Sequence, residues 1–449
     1  MSIFNRREPL VLFLGDLVAF ALALWLTLFF RYGSSFGGSL WYDHFQAFSL
    51  VFLIWTLAFY IAGLYGKQTL VFKNRLPSRI LKAQIVNSFL AIAFFYLIPA
   101  FGITPKTNLF IQLILSFILV LIWRLYGEGL MRSREKQTAL LIGEGEELKE
   151  LSAEINNNNR YAVTFDSILD LNKISPTEAI SIVDAKLKEG RINLVVADLS
   201  HEKIQPILPK FYRLLFSRVK FMDVGKLYEE IFDRIPLSLI RYGWILQNIS
   251  NSPRKTYDSL KRFMDIVLGI VGGLVSLVFY PFVYLAIKLD DAGPIFISQE
   301  RVGQNNRVFK ILKFRTMTRD DAGHAAAKQV NRPTRVGGFL RRTRIDELPQ
   351  LWNVLRGELS LIGPRPELPV LAAAYEKEIS YYQARHLIKP GLSGWAQLNQ
   401  QNPPKRDLNF NDTKVKLSYD LFYLKNRSFF LDIKIALRTI ADLLSRSGL

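Results

Sequence analysis

KRFMDIVLGIVGGLVSLVFYPFVYLAIKLDD, Lys261–Asp291, is the stretch on which the fold turns. It is apolar and long enough to cross a bilayer, which takes roughly 20 residues. Three features argue against a simple crossing. Pro281 lies inside it, where the missing N–H removes a helix hydrogen bond and bends the axis. Arg254, Lys255, Lys261 and Arg262 flank one end, and Lys288, Arg301, Arg307 and Lys310 follow the other. Positive charge marks the cytoplasmic side of a membrane segment, and here both ends carry it. A helix–break–helix hairpin over residues 261–289, entering and leaving on one face, satisfies all three features. A kinked full span is the alternative.

Four further apolar stretches precede this one: Leu10–Phe30, Phe45–Leu64, Ile80–Phe101 and Leu109–Leu125. Each has the length of a bilayer-spanning helix, and the first is too long for a cleaved leader alone. Arg6 and Arg7, then Lys67, Lys73, Arg75 and Arg79, then Arg132, Arg134 and Lys136 load alternate loops with positive charge. That pattern puts the N-terminus and everything after residue 130 in the cytoplasm. Asp16 is the obvious ionisable residue inside the spans. A transporter usually carries more, so residues 1–130 read as a four-helix anchor.

Half of the 449 residues are hydrophobic and the formal charge is +19. Residues 254–449 hold 31 Lys and Arg against 18 Asp and Glu, which places +13 of the excess there. Such a surface suits an anionic partner: a phosphorylated substrate, a lipid headgroup or a nucleic acid. There is no cysteine, which excludes disulfides and thiolate metal sites. The four histidines, His44, His201, His324 and His386, are too scattered for a local zinc motif.

Residues 137–250 read as a Rossmann-like α/β domain. TALLIG and INLVVADLS have the apolar runs of buried parallel strands. The first leads into GEGEELKEL, a Gly-x-Gly turn opening a helix, but position 148 is Leu where a dinucleotide fingerprint has glycine. Packing, dimerisation or regulation fits this domain better than an active cofactor site.

Residues 254–449 repeat one theme, glycine turns beside cations. Gly303, Gly337, Gly338, Gly363, Gly391 and Gly394 stand near Arg301, Lys313, Arg315, Arg341 and Arg365. Arg grips phosphate through two donors and Lys holds it as a point charge. Among them RRTRIDELPQ sets two adjacent carboxylates, Asp346 and Glu347, inside a run of arginines. On a solvated surface such ion pairs contribute roughly 0–1 kcal/mol each. Beside a membrane-dipping segment they suggest a site that joins a phosphorylated soluble molecule to the bilayer.

From Lys261 onward, about 190 residues closely resemble the bacterial sugar transferases, the monotopic polyprenyl-phosphate hexose-1-phosphate transferases. The matching pieces stand in order: KRFMDIVLG, FISQERVG, FKILKFRTM, RRTRIDELPQLWNVLRGELSLIGPRP, KPGLSGWAQ and YDLFYLKNRSFFLDIKIALRTI. The resemblance implies an α-rich monotopic catalytic domain at the cytoplasmic face of the bacterial inner membrane. It implies transfer of a sugar 1-phosphate from a UDP-sugar to undecaprenyl phosphate, with release of UMP. The implied setting is the first step of exopolysaccharide, capsule or O-antigen assembly. By the residue match Asp346 is the nucleophile and Glu347 acts beside it, as metal ligand or proton handler. Arg341 is the first choice for a phosphate clamp, followed by Arg365, Lys313, Arg315 and Arg301. Mg²⁺ or Mn²⁺ held at Asp346 and Glu347 is implied, as are membrane lipid and, among the possibilities, a homodimer. No nucleic acid partner is.

The chain departs from the family at two places. Many members have Ser where Tyr280 precedes the breaking proline, and LNQQNPPKRD replaces a Val-Asn-Gly run after WAQ. Two rival readings are a sugar-nucleotide dehydratase or epimerase and a polybasic membrane scaffold without chemistry. The first needs a Tyr-x-x-x-Lys pair; Tyr284 and Lys288 supply the spacing, but inside the membrane-dipping segment.

Overall fold

The computed structural model of the chain describes residues 8–33, 37–65, 76–97, 106–127, 136–158, 161–188, 190, 192–214, 216, 219–249, 254–291, 293–318, 332–400 and 408–445. The basic loop residues Arg6, Arg7, Lys67, Lys73, Arg75, Arg132 and Arg134 lie outside these, as does His324 and most of the unusual loop after WAQ, residues 401–407. Chain contacts divide the protein into two units. Met1–Glu144 with Leu148–Phe221 forms one, and Gly145–Glu147 with Met222–Leu449 forms the other.

The first unit opens with four helices: α1 Glu8–Tyr32, α2 Gly38–Ile61, α3 Leu76–Leu97 and α4 Lys106–Tyr126. All four are long and apolar enough to cross a membrane. Aromatic residues Phe20, Phe48, Phe52, Trp55 and Phe59 fill their centre, while Val18, Leu53 and Phe89 stand exposed on the outside, the pattern of a bundle solvated by lipid. Asp16 does not stand alone. Arg124 of α4 pairs with it at 2.5 Å, both side chains fully buried, and the Tyr65 hydroxyl donates to the same carboxylate at 2.8 Å. Arg124 also donates to the Leu64 carbonyl at 2.7 Å. A paired, hydrogen-bonded charge inside the bundle locks α1 to α4 and the end of α2.

The same unit holds a four-stranded sheet. Its strands are β1 Gln137–Gly143, β2 Val163–Asp170, β3 Leu194–Ala197 and β4 Lys220–Asp223, in the order β2-β1-β3-β4. β1 pairs in parallel with both β2 and β3, and its residues Ala139–Ile142 are completely buried. This is the near-continuous apolar run expected of a strand covered on both faces. Leu148, on helix α5 Glu146–Asn157, packs over Gly143: a Cβ on that glycine would lie 2.7 Å from the Leu148 Cδ2. The leucine at the third-glycine position therefore occupies the space over the turn.

In the second unit, the residues that follow α6 Val224–Phe232 and flank α7 Tyr242–Asn248 join the C-terminal core: Ile235 and Ile240 cluster with Tyr375 and Leu421, and Ile249 with Trp395 and Tyr423. Helices α8 Lys255–Leu277 and α9 Tyr280–Asp291 follow, bent by 52° at a short break. Pro281 sits in the first turn of α9, where a missing N–H removes no intrahelical bond. The break itself is closed by tight turns, with Val278 N donating to Val275 O and Phe279 N to Ser276 O. The ring of Tyr280, the residue before that proline, packs edge-on against Phe314 at 4.9 Å. Both helices expose long apolar faces, among them Phe263, Leu274, Phe282 and Leu285.

Two side chains fasten α8 to the soluble core. Arg262 donates to the Val354 and Leu355 carbonyls at 2.7 Å each, capping the C-terminal end of a short helix, α11 Leu351–Arg356. Asp265 accepts from the Leu361 N–H and the Ser360 hydroxyl. Beyond α9 come an antiparallel hairpin, β5 Phe296–Val302 with β6 Val308–Phe314, and helix α10 Arg335–Thr343. Gly337 of α10 allows a close crossing, since a Cβ there would lie 2.0 Å from the Thr316 carbonyl oxygen.

Candidate active site

The site is built where α10 ends. Arg344 takes a left-handed conformation, φ +58°, and stops the helix. The chain then restarts at once as a 3₁₀ helix, Ile345–Gln350, which runs into α11. Successive residues on a 3₁₀ helix point about 120° apart. Asp346 and Glu347 are therefore neighbours in sequence with different surroundings.

Glu347 faces cations. Arg365, from the Gly-Pro-Arg-Pro turn, reaches it with Nη2 at 2.5 Å from Oε1. Arg344 stands 3.6 Å away and Lys313 of β6 3.9 Å away. Burial pushes the Glu347 carboxyl up, but Arg365 and Lys313, with Arg344, outweigh it and hold it at about 2. Asp346 is 7% exposed, and its Oδ1 has no hydrogen-bond partner among the described residues. Burial first, and then the charge of Glu347, push its carboxyl up to about 6, against the pull of Lys313, Arg341 and Arg344. Lys313 is itself lowered to about 8, chiefly by burial, with Glu347 working against the shift. Two adjacent carboxyls thus have separated properties: one an anion sealed by arginine, the other a raised group with a buried, unpaired oxygen.

Of the other cations named from the sequence, Arg341 contributes to the field on Asp346, and one of its nitrogens contacts the Met317 sulfur at 3.0 Å. Arg301 bonds Gln299 at 2.9 Å, and its charge reaches Lys313 and Glu367. Arg315 is engaged elsewhere. It pairs with Asp291 at 2.6 Å, at the end of α9, and donates to the Met317 and Thr318 carbonyls.

The reading from sequence passed over several residues that build this site. Arg344 supplies both the turn and a charge. Asn353 clamps α11 to β6, donating to the Lys310 carbonyl at 2.8 Å and accepting from the Leu312 N–H at 3.2 Å, which sets Lys313 opposite the acids. Arg385 donates to the Arg365 carbonyl at 2.8 Å, to Asp420 and to the Tyr382 hydroxyl, while Lys416 pairs with Glu367. This buried group holds the turn that carries Arg365. Asn353 lies in an apolar run and Arg385 outside any glycine turn, so neither carried a local signal.

The sequence model described as Bacterial sugar transferase matches residues 256–446. An exopolysaccharide production protein, PSS of Rhizobium leguminosarum bv. phaseoli, is 38% identical over 195 residues, which cover 42% of this chain and 96% of that one. The chain belongs to the bacterial sugar transferase family. Two longer relatives match over more of the chain. A UDP-N-acetylgalactosamine-undecaprenyl-phosphate N-acetylgalactosaminephosphotransferase of Aeromonas hydrophila is 35% identical over 262 residues, 58% of this chain and 60% of that protein. An undecaprenyl-phosphate glucose phosphotransferase of Komagataeibacter xylinus is 32% identical over 329 residues, 71% of this chain and 61% of that protein. The match thus spans about three fifths of the length of each. Asp346, Glu347, Lys313, Arg344 and Arg365 all fall inside the segment that the bacterial sugar transferase model covers.

No group of three acidic or histidine ligands able to enclose a metal ion occurs among the described residues. Mg²⁺ characteristically takes one or two carboxylates and completes its shell with substrate phosphates and water. The buried, unpartnered Asp346 Oδ1 fits that mode. Glu347, already sealed by Arg365, fits it less well.

Proposed function

We propose that the protein transfers a sugar 1-phosphate from a UDP-sugar to a polyprenyl phosphate at the cytoplasmic membrane face. The observation that carries this reading is the Asp346 carboxyl, buried, raised and with one oxygen unpartnered, beside a neighbour whose charge is already neutralised. The names of the relatives from A. hydrophila and K. xylinus, both undecaprenyl-phosphate phosphotransferases of a sugar, support the same chemistry.

In the first step an Asp346 oxygen attacks the sugar-proximal phosphorus. The bond from that phosphorus to the bridging oxygen breaks, and UMP leaves. In the second, an oxygen of polyprenyl phosphate attacks the same phosphorus, breaks the acyl–phosphate bond and frees the carboxylate. Two displacements at a positioned centre replace one difficult one. Lys313, Arg341 and Arg344 neutralise charge as it builds on the phosphoryl oxygens. Arg365, fixed by Glu347 on one side and by the Arg385 group behind it, gives that field a rigid wall. A carboxyl held at about 2 carries no proton near neutral pH, so Glu347 acts by orienting cations or by assisting a metal rather than by proton transfer. Mg²⁺ or Mn²⁺ bound at Asp346 with the diphosphate oxygens would supply further charge neutralisation.

The bent pair α8–α9 is read as a re-entrant hairpin, with both ends cytoplasmic. Its 52° break, the basic residues at its two ends and the even number of spans before it support that placement. The parallel sheet is read as a Rossmann-like domain used for packing or regulation, since Leu148 fills the space over its Gly143 turn. Purified protein given Mg²⁺, polyprenyl phosphate and a panel of UDP-sugars tests the function. UMP release that requires the lipid phosphate for sustained turnover is expected. No UMP from any sugar nucleotide would overturn the reading.

A further inference from the structure

Helix α9 ends in two acids, Asp290 and Asp291. The C-terminal end of a helix carries partial negative charge, so a pair of carboxylates there opposes the dipole. Each has partners outside the helix. Asp291 pairs with Arg315 at 2.6 Å and accepts from the Gly293 N–H at 3.2 Å, on the way into β5. Asp290 accepts from the Val336 N–H at 3.0 Å, in the first turn of α10.

The start of α10 is therefore capped twice. Thr334, the residue before the helix, accepts from the Gly337 N–H at 2.8 Å. That bond is local; it satisfies a free donor but does not fix where the helix lies. The Asp290 bond joins residues 46 apart in the chain and sets α10 against α9. An apolar cluster backs it. Val283 and Ile287 of α9 pack with Phe314 of β6 and Leu340 of α10, and Ile345 and Leu348, on either side of the two acids, pack against the same cluster.

The contacts continue to Arg341. Arg315, held by Asp291, donates to the Met317 and Thr318 carbonyls at 3.0 and 3.1 Å. Thr334 N donates to the Thr316 carbonyl at 3.1 Å, so residues 315–318 form a bed for the start of α10. The Met317 sulfur meets an Arg341 nitrogen at 3.0 Å. Arg341 stands five residues beyond Val336, roughly 8 Å along the helix.

We propose that Asp290 is a positioning residue of the transfer reaction: by tying the start of α10 to the end of α9, it holds Arg341 against the diphosphate of the donor. The proposal rests on the function proposed above, in which Arg341 is one of the cations on the phosphoryl oxygens. Asp290 acts through Arg341 and not on the substrate. Because Thr334 already caps α10, loss of Asp290 leaves the helix able to form and frees its direction.

The test titrates full-length protein, in detergent with Mg²⁺, with UDP, the part common to every UDP-sugar. Arg341→Ala is expected to weaken UDP by about tenfold or more, the loss of a charge-assisted hydrogen bond. Asp290→Ala should weaken it by about fivefold, the loss of a helix cap passed on to the clamp. Asp290→Asn keeps an oxygen for the Val336 N–H and should stay within about threefold of wild type. The double variant Asp290→Ala with Arg341→Ala should bind no more weakly than Arg341→Ala alone, because both changes remove one interaction; a general loss of structure would add to the second defect. Thr334→Asp added to Asp290→Ala strengthens the local cap, and should raise the unfolding temperature without restoring UDP affinity. Wild-type affinity in Asp290→Ala overturns the proposal. So does a full further loss in the double variant, a failure of Asp290→Asn to recover, or a recovery of affinity with Thr334→Asp, which would make Asp290 a cap and nothing more. Wild type that releases UMP from a UDP-sugar while Asp290→Ala binds UDP as tightly as wild type keeps the function and loses the positioning role. Wild type that neither binds UDP nor releases UMP overturns the proposed function and this proposal with it.

Discussion

At the scale of the residue, the question is how two adjacent acids avoid sharing one fate. The 3₁₀ turn separates them, and burial, then the charge of a Glu347 fixed as an anion by Arg365, raises Asp346. In the proposed mechanism only the ionised Asp346 attacks phosphorus, so kcat/KM should rise with pH through about 6 and level off as the carboxyl ionises. Lys313 loses its proton as pH climbs through about 8, and its clamp on the diphosphate goes with it, so the profile should fall again there. Glu347→Gln removes the negative charge that raises both groups. Both limbs should move to lower pH in that variant, and limbs that stay in place would detach Glu347 from this field. Arg341→Ala should lose charge-assisted hydrogen bonds of roughly 1.5–3 kcal/mol each to the diphosphate, read as a higher KM for the UDP-sugar. An unchanged KM would exclude Arg341 from the phosphate site. The acids and Arg365 were legible in the sequence because their motifs are local. Asn353 and Arg385 were not, because each works through contacts 20 to 43 residues away in the chain.

At the scale of the element, the broken helix α8–α9 joins a long apolar surface to the turn that carries Asp346. Its break was legible from Pro281 alone. Its fastening was not: Arg262 read as a flanking charge for membrane topology, and the structure gives it a second task, capping the carbonyls at the end of α11. The same residue therefore anchors the hairpin to the helix that continues the Asp346 turn. The hairpin placement predicts the side of the membrane on which the C-terminus ends. Single cysteines at Ser250 and at Ser445 in this cysteine-free chain should both resist an impermeant thiol reagent in intact cells and react once the membrane is opened. Labelling of Ser445→Cys from outside while Ser250→Cys stays protected would mean that the segment crosses. The two-stranded β5–β6 hairpin went unnamed in an α-rich reading, because FISQERVG and FKILKFRTM mix charge into their alternation. Lys313 sits on that hairpin and owes its reach towards Glu347 to it.

At the scale of the whole molecule, one chain carries a bundle of four apolar helices, a four-stranded sheet and a basic C-terminal unit. The four spans were plain from hydropathy, whereas the partner of Asp16 was hidden, because Arg124 sits at the end of an apolar run and looks like a flanking charge. Arg124→Met should destabilise the bundle by about 3–5 kcal/mol, since it strands a buried carboxylate, and Asp16→Leu added to it should recover much of that loss. If the bundle is an anchor, the double variant keeps UMP release; a well-folded double variant without it would give the bundle a part in the reaction. The central claim is that Asp346 carries the sugar phosphate between a soluble donor and a lipid acceptor. The most direct measurement omits the acceptor. Protein is mixed with a UDP-sugar labelled in the sugar-proximal phosphate, quenched, digested and mapped. A burst of UMP stoichiometric with enzyme is expected, with label on the peptide containing Asp346, lost in a folded Asp346→Asn variant and discharged from wild type by polyprenyl phosphate. A protein that turns over with lipid present yet takes up no label, or that carries it on another residue, would contradict the account.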